Sequence, residues 1–244
     1  MRLLRRFPPR KYRKSLTQGA IATFIFSILV VTGVWYFLRV PPQTPRRRHY
    51  SPEEVSYFLE VGLGSEYNGR DRTVKKWQGE IRVGVFGSPT VADLEAIATV
   101  VAELNELTQG IHLVKDRSHP NLKVYLVPPE QFRDYLPDAI PGNYGFFWAW
   151  WEDHQIHRAI VLISTVEITQ TERNHLIREE ITQSLGLMRD SWRYQDSIFY
   201  EGWTDTTEYT QLDRAVISLL YEPEILPGMS EAEVLEAVRQ INLE

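Results

Sequence analysis

Capped helical stretches alternate with short strand-like runs along residues 51–244, and this alternation predicts an α/β (α+β) fold, a mixed twisted sheet carrying helices. Two more observations complete the expectation. Residues 19–38 form an uncharged run rich in Ile, Val, Phe and Leu, which predicts one N-terminal transmembrane helix. A helix expected over residues 171–187 carries a ladder of polar side chains, and so is the element on which a site would be built.

At about 1.5 Å per residue the apolar run matches the roughly 30 Å hydrocarbon core of a bilayer. Trp35 and Tyr36 stand near its far end, where amphipathic rings favour the interface. Arg2, Arg5, Arg6, Arg10, Lys11, Arg13 and Lys14 precede it, against Arg39, Arg46, Arg47 and Arg48 after it. That bias sets the N-terminus in the cytoplasm and the C-terminal domain outside, a single-pass protein of the cell membrane. The run is long for a cleaved signal peptide and no small-x-small site follows it, so it reads as a signal anchor. The expected organisation is a basic cytoplasmic tail (1–18), the span (19–38), a Pro/Arg linker (39–50) and an extracytoplasmic domain (51–244). Residues 1–50 hold 11 Lys plus Arg and no acid, leaving 16 basic against 32 acidic residues on the remainder. The folded part therefore lacks the basic surface that nucleic acid requires. Cysteine is absent, which excludes disulfides, thiolate metal sites and a cysteine nucleophile.

Ser51-Pro52-Glu53-Glu54 is a capping box with proline at the first helical position, opening a helix that stops near Gly62 and Gly64. Residues 80–86 alternate and read as a strand. Thr90 with Asp93 caps the next helix, whose stripe is Val91, Leu94, Ile97, Ala98, Val101 and Leu104, and Gly110 ends it. Residues 111–114 and 122–127 are strands, and 131–141 a proline-punctuated connection. Residues 145–151 and 156–164 form a hairpin around Glu152-Asp153-His154-Gln155, its first strand dense in aromatics. After the 171–187 helix, Thr210 with Asp213 and Ser230 with Glu233 cap two final helices.

On the 171–187 helix, Leu176, Ile177, Ile181, Ser184 and Leu185 recur at three- and four-residue steps and give a core-facing stripe. His175, Glu179 and Gln183 lie four apart, hence stacked on one face, with Glu180 beside them. Gly186 falls where a left-handed residue would end the helix. This frame resembles the active-site helix of the zincins, in which His-Glu-x-x-His supplies two zinc ligands and a general base. Laid on it, the first ligand position holds Glu179, the base position Glu180, the second ligand position Gln183, the glycine Gly186 and the third ligand position Arg189, with Asp190 adjacent. An amide coordinates zinc poorly and a guanidinium repels it, so no metal and no cofactor are expected.

The order strand, helix, strand, strand, aromatic edge strand, strand, helix is similar to the upper subdomain of the metzincins, the matrixins in particular. Ser197-Ile198-Phe199-Tyr200 resembles their methionine turn with Phe199 in place of the methionine, and Tyr209-Thr210-Gln211-Leu212-Asp213 resembles the start of their final helix. More closely, the chain resembles the uncharacterised bacterial domain-of-unknown-function family numbered 2927. The residues that carry this are Gly64-Ser65-Glu66-Tyr67, residues 74–77, residues 179–187, Asp196-Ser197-Ile198-Phe199 and Leu220-Tyr221-Glu222-Pro223. That resemblance implies no established activity.

The expected protein is thus a membrane-anchored, metalloprotease-like domain that holds a protein or peptide in its cleft without cleaving it. His175, Glu179, Gln183, Arg189 and Asp190 mark the cleft. Phe147, Trp148, Trp150 and Trp151 mark the partner-binding edge. The alternative is an atypical hydrolase with Glu180 as catalytic base. A third reading, a structural or assembly factor, would use only the tryptophan edge and the acidic surface. Against catalysis, Glu180 on a helix surface is ordinarily half of an ion pair, with Arg178, Arg189 and Arg193 as candidate partners. His154 and His157 have ligand-like spacing, but a turn into a strand points their rings apart.

Overall fold

A computed structural model describes residues 49–65 and 71–243. The tail (1–18), the expected span (19–38) and all of the linker but His49 and Tyr50 lie outside the described residues. Among the described residues no helix is long and apolar enough to cross a membrane. In chain order the elements are α1 (Pro52–Val61), β1 (Lys76–Trp77), β2 (Gly79–Gly87), α2 (Val91–Leu107), β3 (Ile111–Lys115), β4 (Leu122–Val127), a 3-10 turn (Pro129–Gln131) running into α3 (Phe132–Tyr135), β5 (Gly145–Glu152), β6 (Gln155–Ser164), α4 (Gln170–Gln183), α5 (Gln211–Leu220) and α6 (Glu231–Leu243). From β2 to α4 this is the matrixin-like order expected from sequence, with one helical turn added in the 131–141 connection.

Helices start where the chain supplies reciprocal caps. Ser51 with Glu54, Thr90 with Asp93, Thr169 with Glu172, and Thr210 with Asp213 each exchange two bonds: the hydroxyl accepts the N3 amide, and the N3 carboxylate accepts the cap amide. The hairpin turn is equally local. Asp153 and His154 both take positive φ, 46° and 65°, the conformation of a two-residue loop whose twist matches the strands it joins.

β3, β2, β4 and β6 run parallel in that order, with Ile81 opposite Leu113, Val85 opposite Val124, and Val124 opposite Val161. β5 returns antiparallel on the free flank of β6, with Phe147 opposite Val161 and a register shift between Trp150 and Trp151. The two-residue β1 pairs in parallel with Gln155 and Ile156 at the start of β6. Burial follows. Ile97, Leu104, Leu113, Val124, Val161, Ile177 and Ile181 belong to one core beneath α2 and α4, and Phe132, Leu136, Phe146 and Leu162 form a smaller one.

α4 departs from a simple stripe. Leu176, Ile177 and Ile181 are buried as expected, but so are Arg173, His175, Arg178, Glu180, Thr182 and Gln183. It is a central helix wrapped nearly all round. A polar helix there is tolerable only if its side chains find partners, and that requirement shapes the site.

Candidate functional site

The end of α4 is fixed before any functional side chain is placed. Its regular hydrogen bonding stops at Gln183 rather than near 187, and Leu185 and Gly186 form a turn, their amides bonded to the carbonyls of Thr182 and Gln183 at 3.0 and 2.9 Å. The carbonyls this leaves are taken from outside. The Trp77 indole donates to Ser184 O at 2.9 Å, and the Tyr221 hydroxyl to Leu185 O at 2.8 Å. Gly186 sits at φ 124°, and a β-carbon there would lie 2.0 Å from Lys75 O. Glycine is demanded twice over, by conformation and by the strand β1 segment packed against it.

His175 and Glu179 meet one helical turn apart, Nε2 to Oε2 at 3.3 Å, while His175 Nδ1 bonds the Thr206 carbonyl at 2.7 Å. Burial alone would lower the imidazole's pKa. The hydrogen bond and charge of Glu179, helped by Thr206, outweigh that and hold it above its ordinary value. His175 therefore straps α4 to the 201–210 segment. One turn on, the Gln183 amide donates to Asp190 Oδ1, closing the turn around Gly186. The structure thus joins the five expected cleft residues as two pairs, His175 with Glu179 and Gln183 with Asp190. The fifth, Arg189, is anchored through its backbone, N–H to Val61 O at 3.2 Å.

Glu180 is buried on the neighbouring face of α4, under the first residue of β5. A β-carbon on Gly145 would lie 2.5 Å from Glu180 Oε1 and 2.8 Å from Leu176 Cδ2. Glycine at 145 is what allows the edge strand to lie on the carboxylate. Two of the three arginines considered as partners are engaged elsewhere. Arg178 pairs with Glu103 and lies 4.2 Å over the Tyr209 ring, and Arg193 pairs with Glu60 at 3.1 Å.

Along β5 the side chains alternate between the two cores. Phe147 and Trp151 pack half-buried against the main core around Ala149. Trp148 and Trp150 pack half-buried against the smaller core, Trp150 under the Arg158 guanidinium at 3.8 Å. All four expected edge residues are therefore part core and part surface. His154 reaches Thr73 Oγ1 at 3.0 Å while His157 is exposed, so the His-x-x-His spacing brings no pair together.

In the 197–200 turn Ser197, Ile198 and Phe199 are buried, Ile198 and Phe199 without exposed surface, while Tyr200 is half-buried. Ser197 donates to Asp213 Oδ1 at 2.6 Å and shares a 2.7 Å bond with Tyr57 OH, and the Ile198 amide reaches Asp213 Oδ2 at 3.3 Å. Burial raises the Asp213 pKa despite these donors. Asp213 is thus at once the cap of α5 and the anchor of the turn. Nothing in the local sequence separates those roles.

Zinc, which a zincin frame would hold, does not fit these residues. Glu179 is committed to His175, and Gln183 presents its amide N–H to Asp190. Among the described residues no three His, Cys, Asp or Glu side chains group so as to hold a metal ion. Residues 53–240 match the family described as "Protein of unknown function (DUF2927)". The chain belongs to this family. No curated protein matches the DUF2927 chain. Two solved structures of myroilysin do, both at 11% identity: one with a TM-score of 0.42 over 70% of this chain and 96% of that one, the other with 0.40 over 61% and 83%. Likeness at that level carries nothing about chemistry.

Thr206 of this site and Lys76 outside it leave no usable signal in the sequence. Thr206 acts through a backbone carbonyl, which any residue would supply. Lys76 lies buried beside a cavity of about 320 Å³, and its only trace in sequence is a lysine pair set between Val74 and Trp77.

Proposed function

We propose that this DUF2927 chain is a membrane-anchored extracytoplasmic protein whose metalloprotease-like domain binds an extended protein or peptide segment along β5 without cleaving it. One observation carries the reading: the side chains at two of the three ligand positions are engaged by neighbours outside that set, Glu179 by His175 and Gln183 by Asp190, and so hold the cleft together. The antiparallel edge strand beside them, with Phe147, Trp148, Trp150 and Trp151 half-exposed, offers backbone groups for strand addition and aromatic anchors for specificity. Anchoring rests on the uncharged run of residues 19–38 and its basic flank. The buried Glu180 keeps a second reading open, a hydrolase with that carboxylate as base.

The deciding experiment mixes the full-length chain in detergent micelles with a degenerate peptide library, then sequences the retained and the shortened peptides separately. Retention without shortening, weakened at least tenfold by Trp148→Ser with Trp150→Ser and unchanged in Glu180→Gln, is the expected result. Shortened peptides that vanish in Glu180→Gln would establish the hydrolase instead.

A further inference from the structure

Lys76 is a charged residue buried in the fold. Its side chain is 7% exposed, yet no carboxylate among the described residues lies within 4.0 Å of Nζ. The amine instead donates to the Ile225 carbonyl at 2.8 Å, approaches the Glu222 carbonyl at 3.4 Å, and lies 5.0 Å over the Tyr221 ring. Its neighbour shows the ordinary solution. Lys75, equally buried, is paired with Asp71 at 2.7 Å. A buried ammonium whose nearby carboxylate, that of Glu222, makes no direct contact with it is costly, and the cost falls when the proton leaves. As a neutral amine Lys76 keeps two N–H donors for the two carbonyls and gains a lone pair.

Lys76 is among the residues lining the 320 Å³ cavity noted above, whose volume is near the lower end of the range for small-molecule sites, and the Ile225 and Glu222 residues that accept from its amine line it too. Ile111, Pro223, Leu226 and Pro227 give it apolar walls. The carboxylate in its lining is that of Glu222, held by the Tyr50 hydroxyl at 2.6 Å and by Gln109 at 3.5 Å. An anionic ligand would face that carboxylate and the two carbonyl oxygens. A neutral ligand meets no such repulsion.

We propose that Lys76 is a nucleophilic amine that captures a small uncharged aldehyde or ketone entering this cavity, as a reversible imine. Nζ attacks the carbonyl carbon, a proton passes from nitrogen to the former carbonyl oxygen to give a carbinolamine, and water leaves as the C=N bond forms. No oxidant or reductant is needed. Desolvation supports the assignment: burial lowers the Lys76 pKa to about 8, with Glu222 opposing. At pH 7.5 about a quarter of such amines are free, against roughly one in a thousand for an ordinary lysine. The site is separate from the α4 cleft and does not rest on the peptide-binding reading.

The full-length chain in micelles is incubated with butanal and cyanoborohydride, which reduces an imine to a stable secondary amine, and each lysine's alkylation rate is read by peptide mass spectrometry. At pH 7.5 Lys76 is expected to react at least tenfold faster than the exposed Lys115, with a rate that levels off above pH 8 while that of Lys115 keeps rising. Reaction no faster than Lys115 would overturn the proposal. Leu226→Trp narrows the cavity and should slow Lys76 at least fivefold while leaving Lys115 unchanged. Undiminished labelling of Lys76 in a folded Leu226→Trp chain would also overturn it, because the cavity would not be the route of entry.

Discussion

His175 shows how one side chain of the helix serves two elements. Its ring links Glu179 on α4 to the Thr206 carbonyl, and its folded pKa lies above the unfolded value near 6.5. A raised histidine pKa contributes stability that is complete below the unfolded value and is lost as pH rises through the folded one. Glu179→Gln removes the charge mainly responsible. Urea unfolding at a series of pH values should therefore show the gap between wild type and Glu179→Gln widest near pH 6 and closing on the alkaline side. A gap independent of pH would mean that the imidazole is neutral throughout. Lys76 has the opposite sign. Its lowered pKa means that the folded chain carries a charged ammonium at a cost below pH 8, and that cost disappears as pH rises through the unfolded value of 10.5. Between pH 7 and 10.5 wild type should gain roughly 3 kcal/mol of stability relative to Lys76→Met. Comparing the change with pH rather than the absolute difference cancels the two carbonyls that methionine leaves without their donor.

Among the elements, α4 and the turn after it are the most exacting. Gly186→Ala places a methyl group where Lys75 O already stands and imposes φ 124° on a residue with a β-carbon. The β1 segment, with Lys75 and Trp77, must then move off the helix end. A loss of at least about 3 kcal/mol in thermal or urea unfolding is expected, or failure to fold. Removing the Ser197 hydroxyl tests the other support of the site. Ser197→Ala strips a buried donor from Asp213 and a partner from Tyr57, and should cost about 1–3 kcal/mol with the cap of α5 still in place. These elements also show what sequence could reveal. Caps such as Thr90 with Asp93 and Thr210 with Asp213 act over three residues, and period-two or helical alternation acts over a few more, so helices and strands were placed to within a few positions. β1 escaped because two residues hold no period, and its pairing partner lies at Gln155 and Ile156. Leu185 and Leu187 continue the apolar pattern and carry the helix expected from sequence four residues past the end of α4, while the donors that stop it, Trp77 and Tyr221, come from remote parts of the chain.

For the whole molecule the two proposed readings, a binding surface and a hydrolase, make opposite demands on the α4 cleft. The ladder His175, Glu179, Gln183 was visible as a helical face, but its pairing was not. The pattern places residues on a face, and only packing decides that Gln183 turns to Asp190 and Glu179 back to His175. This distinction separates the two readings by their response to one change. If the cleft is a scaffold, Gln183→Ala removes the Gln183 donor from Asp190, loosens the turn at Gly186 and weakens peptide retention along β5 together with stability, by about 1–2 kcal/mol each. Glu180→Gln, of nearly the same shape, should then leave peptide retention unaltered. If instead Glu180 is a working base, the order reverses: Glu180→Gln abolishes turnover with retention intact, while Gln183→Ala lowers turnover only as far as it lowers stability. Peptide retention and thermal unfolding measured on both variants place the molecule in one class or the other. A fall in retention in Gln183→Ala without any fall in stability would contradict the scaffold account, because that account ties the cleft's shape to the same bond that holds the helix end.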